Sequence, residues 1–193
     1  MNISTKDKIL DVTVAMMASM DPNNISIRLV SKSSGVQPSV IYHYYDNKDA
    51  LLKAAFLKAQ TDVRDALLSL KPLTDISQML TQRLNYHFDN FLGIAAMLRY
   101  FLAFKSNGGE PGSYIPEQAY LHIKEVIDKG LGQGVYFTSD SARDSRVIVH
   151  SLNGFLLENF PLNSKIRDRL VNDIQPFIER ALTNKTGGVP IHT

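Results

Sequence analysis

The side chains best suited to chemistry lie close together, in residues 25–48, ISIRLVSKSSGVQPSVIYHYYDNK. Ser39, Tyr42 and His43 carry a hydroxyl, a phenol and an imidazole on the exposed side of a short helix opened by Pro38. Such groups donate and accept hydrogen bonds and can read base edges in a DNA groove. Ser26, Arg28 and Lys48 stand nearby as partners for phosphates, a role Tyr42 can share. Catalysis finds no comparable set. No serine, histidine and aspartate fall in an order that suggests a nucleophile and its base, and no carboxylate pair stands out on a loop. The chain has no cysteine, which excludes disulfides, thiolate metal sites and cysteine nucleophiles.

The elements that must hold these groups follow from the same stretch. Ser26 is a good N-cap, since its hydroxyl can accept from a backbone N–H in the first turn. Leu29, Val30 and Ser33 then fall at helical spacing. Gly35 follows, and glycine enters the left-handed region without a Cβ clash. Pro38 sits where a first helical residue belongs, its missing N–H costing nothing there. Val40, Ile41, Tyr44 and Tyr45 supply the next apolar stripe, with Gln37 just before the helix. Helix, glycine turn, second helix with small and polar residues at its start is a helix-turn-helix.

The run Val30-Ser31-Lys32-Ser33-Ser34-Gly35-Val36-Gln37-Pro38-Ser39-Val40-Ile41-Tyr42-His43-Tyr44-Tyr45, followed by Lys48 and Leu51-Leu52, resembles the DNA-binding signature of the tetracycline-repressor-like (TetR) family. The resemblance covers residues 5–55. It departs from the family pattern at Gln37, where a Ser or Thr cap is usual, and at Ser31 and Ser34, which replace alanines. It implies an all-α homodimer on a palindromic DNA operator, most often as a repressor, with an inducer pocket in a second domain and an interface of two helices from each subunit. Pro38, Ser39, Tyr42 and His43 would face the major groove, with Gln37 at the helix start.

Composition agrees with a globular chain. The 193 residues suffice for a buried core, and the apolar share of 44% with 21% charged residues is ordinary. Net charge is +2, and residues 1–60 hold seven Lys/Arg against five acids, so the small excess lies in the DNA-binding part. Residues 1–8 show no signal-peptide pattern, and the longest greasy stretch, 91–104, is broken by Arg99 and too short to span a bilayer. The expectation is a cytoplasmic protein with no membrane partner and no cofactor.

Further along, helices are expected over 5–20, from 46 or 47 to 70, from 74 or 75 to 91, from 93, over 115–130, from 139 or 140 to 160, and over 164–184, with a flexible loop at 106–112. Ser4 and Asp7 resemble a capping box. The long fourth helix would be near 37 Å and bridge two domains, giving a DNA-binding domain over 1–50, a ligand-binding and dimerisation domain over 51–184, and a loose tail over 185–193. Gly130-x-Gly132-x-Gly134 follows no strand and precedes no Lys-Ser/Thr, so it reads as a helix stop rather than a phosphate loop. His87, His122 and His150 lie far apart without an i,i+4 partner, which argues against a metal site.

Aromatic and methionine residues crowd the second domain and suit a helical core. Within and around them Tyr86, His87, Asn90, Met97, Tyr100, Phe104 and His122 could orient a small molecule of unknown identity in an apolar cavity. The helix from 139 is greasy nearly all round and so must be buried on two sides. Ser151, Gly154 and Phe155 there, with Ile174, Phe177 and Ile178 on the last helix, are expected at a homodimer interface. Two other readings remain open at this point: a protein of this fold that binds another protein, and a small helical enzyme.

Overall fold

The computed structural model describes residues 4–106 and 118–184. The start of the helix expected at 115, the tail at 185–193 and most of the loop at 106–112 lie outside them. Among the described residues all regular structure is helical: α1 (Thr5–Ser19), a 3₁₀ turn (Pro22–Asn24), α2 (Ile27–Ser34), α3 (Pro38–Tyr44), α4 (Lys48–Leu68), α5 (Ile76–Asp89), α6 (Phe91–Ser106), α7 (Gln118–Gly132), α8 (Ser141–Glu158), α9 (Ser164–Arg169) and α10 (Gln175–Thr183). No helix among these residues is long and apolar enough to cross a membrane.

Helices α1–α4 and α6 form one compact unit. Ser4 caps α1 by accepting from the Asp7 N–H at 3.1 Å, and its hydroxyl donates to the Asp7 carboxylate at 2.6 Å. Ile9 and Met17 of α1 are fully buried, as are Phe91 and Ala96 of α6. Arg99, the charge inside the greasy run, donates from Nε to the Ala18 carbonyl at 3.1 Å. It thereby satisfies a carbonyl at the end of α1 that the helix leaves unpaired. Helix α4 begins at Lys48, capped by Asn47, and its 21 residues give about 32 Å, shorter than expected. It ends before the Lys71-Pro72 pair.

This grouping differs from the expected division at residue 50. Helices α4 and α6 share a compact unit with α1–α3, because α4 and α1 together bury the apolar face of α6.

The second unit comprises α5 and α7–α10. Its core holds Leu80 and Leu84 of α5, Ile123 and Ile127 of α7, Leu152 of α8, and Leu170 and Ile178 beyond. The glycine run divides its labour: α7 continues to Gly132, and Gly134 takes φ of 70° to stop it. At Gly130 a Cβ would lie 2.2 Å from the buried Tyr136 ring, so only glycine lets that ring close over the helix end. The helix expected over 164–184 starts as α9, capped by Asn163, and a π-helical turn (Leu170–Ile174) separates α9 from α10. Pro176 explains the turn. A proline ring clashes with the carbonyl four residues back, and widening the backbone just before it relieves the clash.

Candidate DNA-binding site

Ser26 caps α2, accepting from the Leu29 N–H at 3.2 Å, and Val30 is buried beneath it. Gly35 follows with φ 67° and ψ 16°, its N–H reaching the Ser31 carbonyl at 2.9 Å. Ser34 has a use that its place in the motif did not suggest. Its buried hydroxyl donates to the Ser31 carbonyl at 3.4 Å and accepts from the Val36 N–H at 3.3 Å, bracing the turn. Gln37 makes no side-chain cap, and Pro38 opens α3.

Helix α3 is anchored by one buried residue, Ile41, with Tyr45 just beyond its end. Pro38, Ser39, Tyr42 and His43 are all exposed, as are Gln37, Ser26 and Arg28. The expected apolar stripe is only half right. Val40 is 36% and Tyr44 42% exposed, so Tyr44 joins Tyr42 on the outer surface, its ring edge-on to His43 at 5.4 Å. Only Ile41 and Tyr45 face the core, because seven residues make too short a helix to bury two rows. The Tyr45 hydroxyl is buried without a hydrogen-bond partner. Burial, then Asp7 and Tyr44, pushes its pKa up, so it stays protonated.

Two cations flank the motif. Lys48 donates from Nζ to the Asn23 carbonyl at 3.0 Å, tying the start of α4 to the 3₁₀ turn. An ammonium has three donors, so this bond leaves capacity for a phosphate. Lys8, one of the seven cations of residues 1–60, stands on α1 and is not among the expected contacts. Its Nζ lies 3.9 Å from where a Gly35 Cβ would stand.

The seven residues expected to line one pocket fall into two groups. Tyr86, His87 and His122 are buried together in the second unit: the His87 and His122 rings stack at 5.7 Å, and Tyr86 meets His122 edge-on at 5.5 Å. His87 Nε2 bonds Asn153 Oδ1 at 2.8 Å, a partner that sequence reasoning missed. Burial pushes the His87 pKa down, partly offset by that bond, and pushes Tyr86 up to about 12 against the pull of Arg83. Asn90, Met97, Tyr100 and Phe104 belong to the first unit. There Tyr100 packs against Phe56 at 5.0 Å and stacks on Phe104 at 6.2 Å. The third histidine, His150, is exposed and meets the Tyr120 hydroxyl at 3.2 Å. Among the described residues no three His, Asp or Glu side chains converge as metal ligands.

The residues expected at a dimer interface line one side of the second unit. Helix α8 turns Val149, Leu152 and Leu156 inward, leaving Ser151, Gly154 and Val147 outward. A Cβ at Gly154 would meet nothing within 4 Å. Phe177 is 65% exposed, Phe155 and Ile174 are half-buried, and Ile178 is in the core. Between α8 and α10 runs a groove of about 430 Å³, walled by Val147, Phe155, Ile174 and Phe177.

Residues 9–55 match the profile of bacterial regulatory proteins of the tetR family. The chain is 28% identical over 100 residues to the HTH-type transcriptional regulator BetI of Klebsiella pneumoniae (strain 342), covering 50% of this chain and 51% of that protein. It thus spans about half of that relative's length. It is 24% identical over 170 residues to the HTH-type transcriptional regulatory protein RaaS of Mycobacterium tuberculosis, covering 80% of this chain and 74% of the other. In fold it resembles a solved bacterial regulatory protein in the tetR family from Rhodococcus RHA1, with a TM-score of 0.69 over 94% of this chain and 98% of that one, at 16% identity.

Proposed function

We propose that this chain, a transcriptional regulator of the tetR family, works as a cytoplasmic homodimer that represses transcription from a palindromic operator and releases it when a small molecule binds. The observation that carries the reading is α3. It is a short helix held by Gly35 and Ile41, presenting Ser39, Tyr42 and His43 to solvent. Hydrogen-bonding side chains on such a helix suit base edges in the major groove. Pro38 and Gln37 stand at its start, where contact with bases is closest.

Ser26, Arg28, Tyr42 and Lys48 serve as phosphate contacts in this reading, fixing register while α3 chooses sequence. Residues 1–50 carry this work, and residues 51–184 carry dimerisation and effector binding. The apolar face of α8 and α10 supports the dimer, since Val147 and Phe177 would gain from being covered. A two-fold dimer places two recognition helices on half-sites about 34–36 Å apart. For the effector, the buried Tyr86, His87 and His122 offer polar tips within an apolar setting.

Selection from a pool of random duplexes with the full chain tests the proposal. Enrichment of a sequence with two inverted half-sites is the expected result. A folded protein that enriches no sequence would overturn it.

A further inference from the structure

Val40 was expected in the core, yet it is 36% exposed on α3, a helix of seven residues anchored by Ile41. At about 100° of turn per residue, Ser39 and His43 fall nearly opposite Ile41. Val40 and Tyr42 border that row on its two sides. Val40 thus stands beside the row assigned to base edges, in the first turn of the helix, where contact with bases is closest. Its backbone N–H is already spent, donating to the Gln37 carbonyl at 3.0 Å. What it can offer a groove is a pair of methyl groups and no hydrogen bond.

That chemistry narrows the partner. Phosphate oxygens and the donors and acceptors of base edges gain nothing from a valine. The one apolar group that a base projects into the major groove is the C5 methyl of thymine. A branched side chain has essentially one χ1 rotamer in a helix, so the two Cγ atoms of Val40 are held in place before any contact forms. Single apolar side chains on a surface are ordinary. Val40 differs from those by its place within the row that meets DNA.

We propose that Val40 is a specificity-determining residue, which packs its Cγ methyls against the C5 methyl of one thymine in each half-site. The operator then carries a T·A pair at that position. The inference rests on the reading of α3 as the helix that enters the major groove. It adds to that reading a preference that Ser39, Tyr42 and His43 cannot supply, since a hydrogen bond does not distinguish thymine from the same base without its methyl.

The test uses the full chain and the operator enriched from random duplexes. Each thymine in turn is replaced, in both half-sites, by deoxyuridine, which lacks only the methyl. At one position the replacement should weaken binding about fourfold per half-site and about 16-fold for the pair, the worth of one buried methyl. Val40→Ser removes the apolar contact from an exposed position, so the melting temperature should hold. In that variant the penalty at this thymine should vanish while any penalty elsewhere persists. Val40→Thr, which keeps one methyl and the same shape, should fall between the two. An operator indifferent to uracil at every position would overturn the proposal. So would a penalty of equal size in Val40→Ser, which would pass the methyl contact to Pro38. Failure to enrich any sequence is a different result, and it would remove the DNA-binding reading together with this inference.

Discussion

Helix α3 and the α8–α10 face both expose large side chains, but of opposite kinds. On α3 the exposed groups include Ser39, Tyr42, His43 and Tyr44, whose polar tips are at ease in water, beside the smaller apolar Pro38 and Val40. On the other face they are Val147 and Phe177, 58% and 65% exposed, beside the half-buried Phe155 and Ile174. Water solvates the first surface at little cost and penalises the second by roughly 25 cal/mol per Å² of apolar area. A surface of the first kind is suited to a polar partner that it can bind and release. One of the second kind is suited to lasting cover, which is why it is assigned to the dimer and α3 to DNA.

The sharpest way to break that contrast is to charge the apolar face. Gly154→Asp combined with Phe177→Asp should turn the proposed dimer into monomers in sedimentation, because an uncompensated buried charge costs about 3–5 kcal/mol. Affinity for a two-half-site operator should fall by about 100-fold or more, at about 1.4 kcal/mol per tenfold. Neither position is in the core, so the melting of each subunit should change little. A variant that stays dimeric would move the interface elsewhere.

The turn comes next in size. Gly35→Val forces a β-branched residue to φ near 67° and should cost about 1–3 kcal/mol. Melting temperature and operator binding should fall together. An unchanged melting temperature would contradict the strained turn.

Smaller again is the phosphate contact. Lys48→Ala should weaken specific and random DNA by a similar factor and reduce the log–log salt slope by about one unit per subunit. A loss confined to one operator sequence would instead make Lys48 a reader of bases.

The least effect is expected at His87, on the second unit's stability. Burial holds its folded pKa below the unfolded value of about 6.5. The unfolded chain therefore binds the proton first as pH falls. Its contribution to stability is fully present above that value and declines below it. Denaturant midpoints at pH 8 and pH 5 should differ more for the native chain than for His87→Gln. Equal differences would show that His87 is not the titrating group.

The two regions also differ in how far their sequence could be read. Ser26, Gly35, Pro38 and Ile41 lie close together in sequence and could be placed from local physics, whereas Lys48 meets Asn23 across 25 residues. The errors there were local too: Val40 and Tyr44 satisfy a helical spacing, but a helix of seven residues has only one row to bury. In the second unit the informative pairs are distant. His87 meets His122 and Asn153 through the packing of three helices, and no spacing announces that. Helix α6 sides with α1 and α4, a choice between two apolar surfaces that its own composition does not make. The π-helical turn could have been anticipated from Pro176, which sits inside a stretch otherwise read as continuous helix.

The claim at the centre is that the exposed row of α3 chooses the DNA sequence. Its most direct test is the affinity of His43→Ala for the selected operator and for a random duplex of equal length, at one salt concentration. Loss of a base-edge contact should cost about 1–3 kcal/mol on the operator, leave the random duplex unchanged, and leave the melting temperature where it was. Equal loss on both duplexes, or no loss on either, would contradict the assignment of α3 as the element that reads sequence.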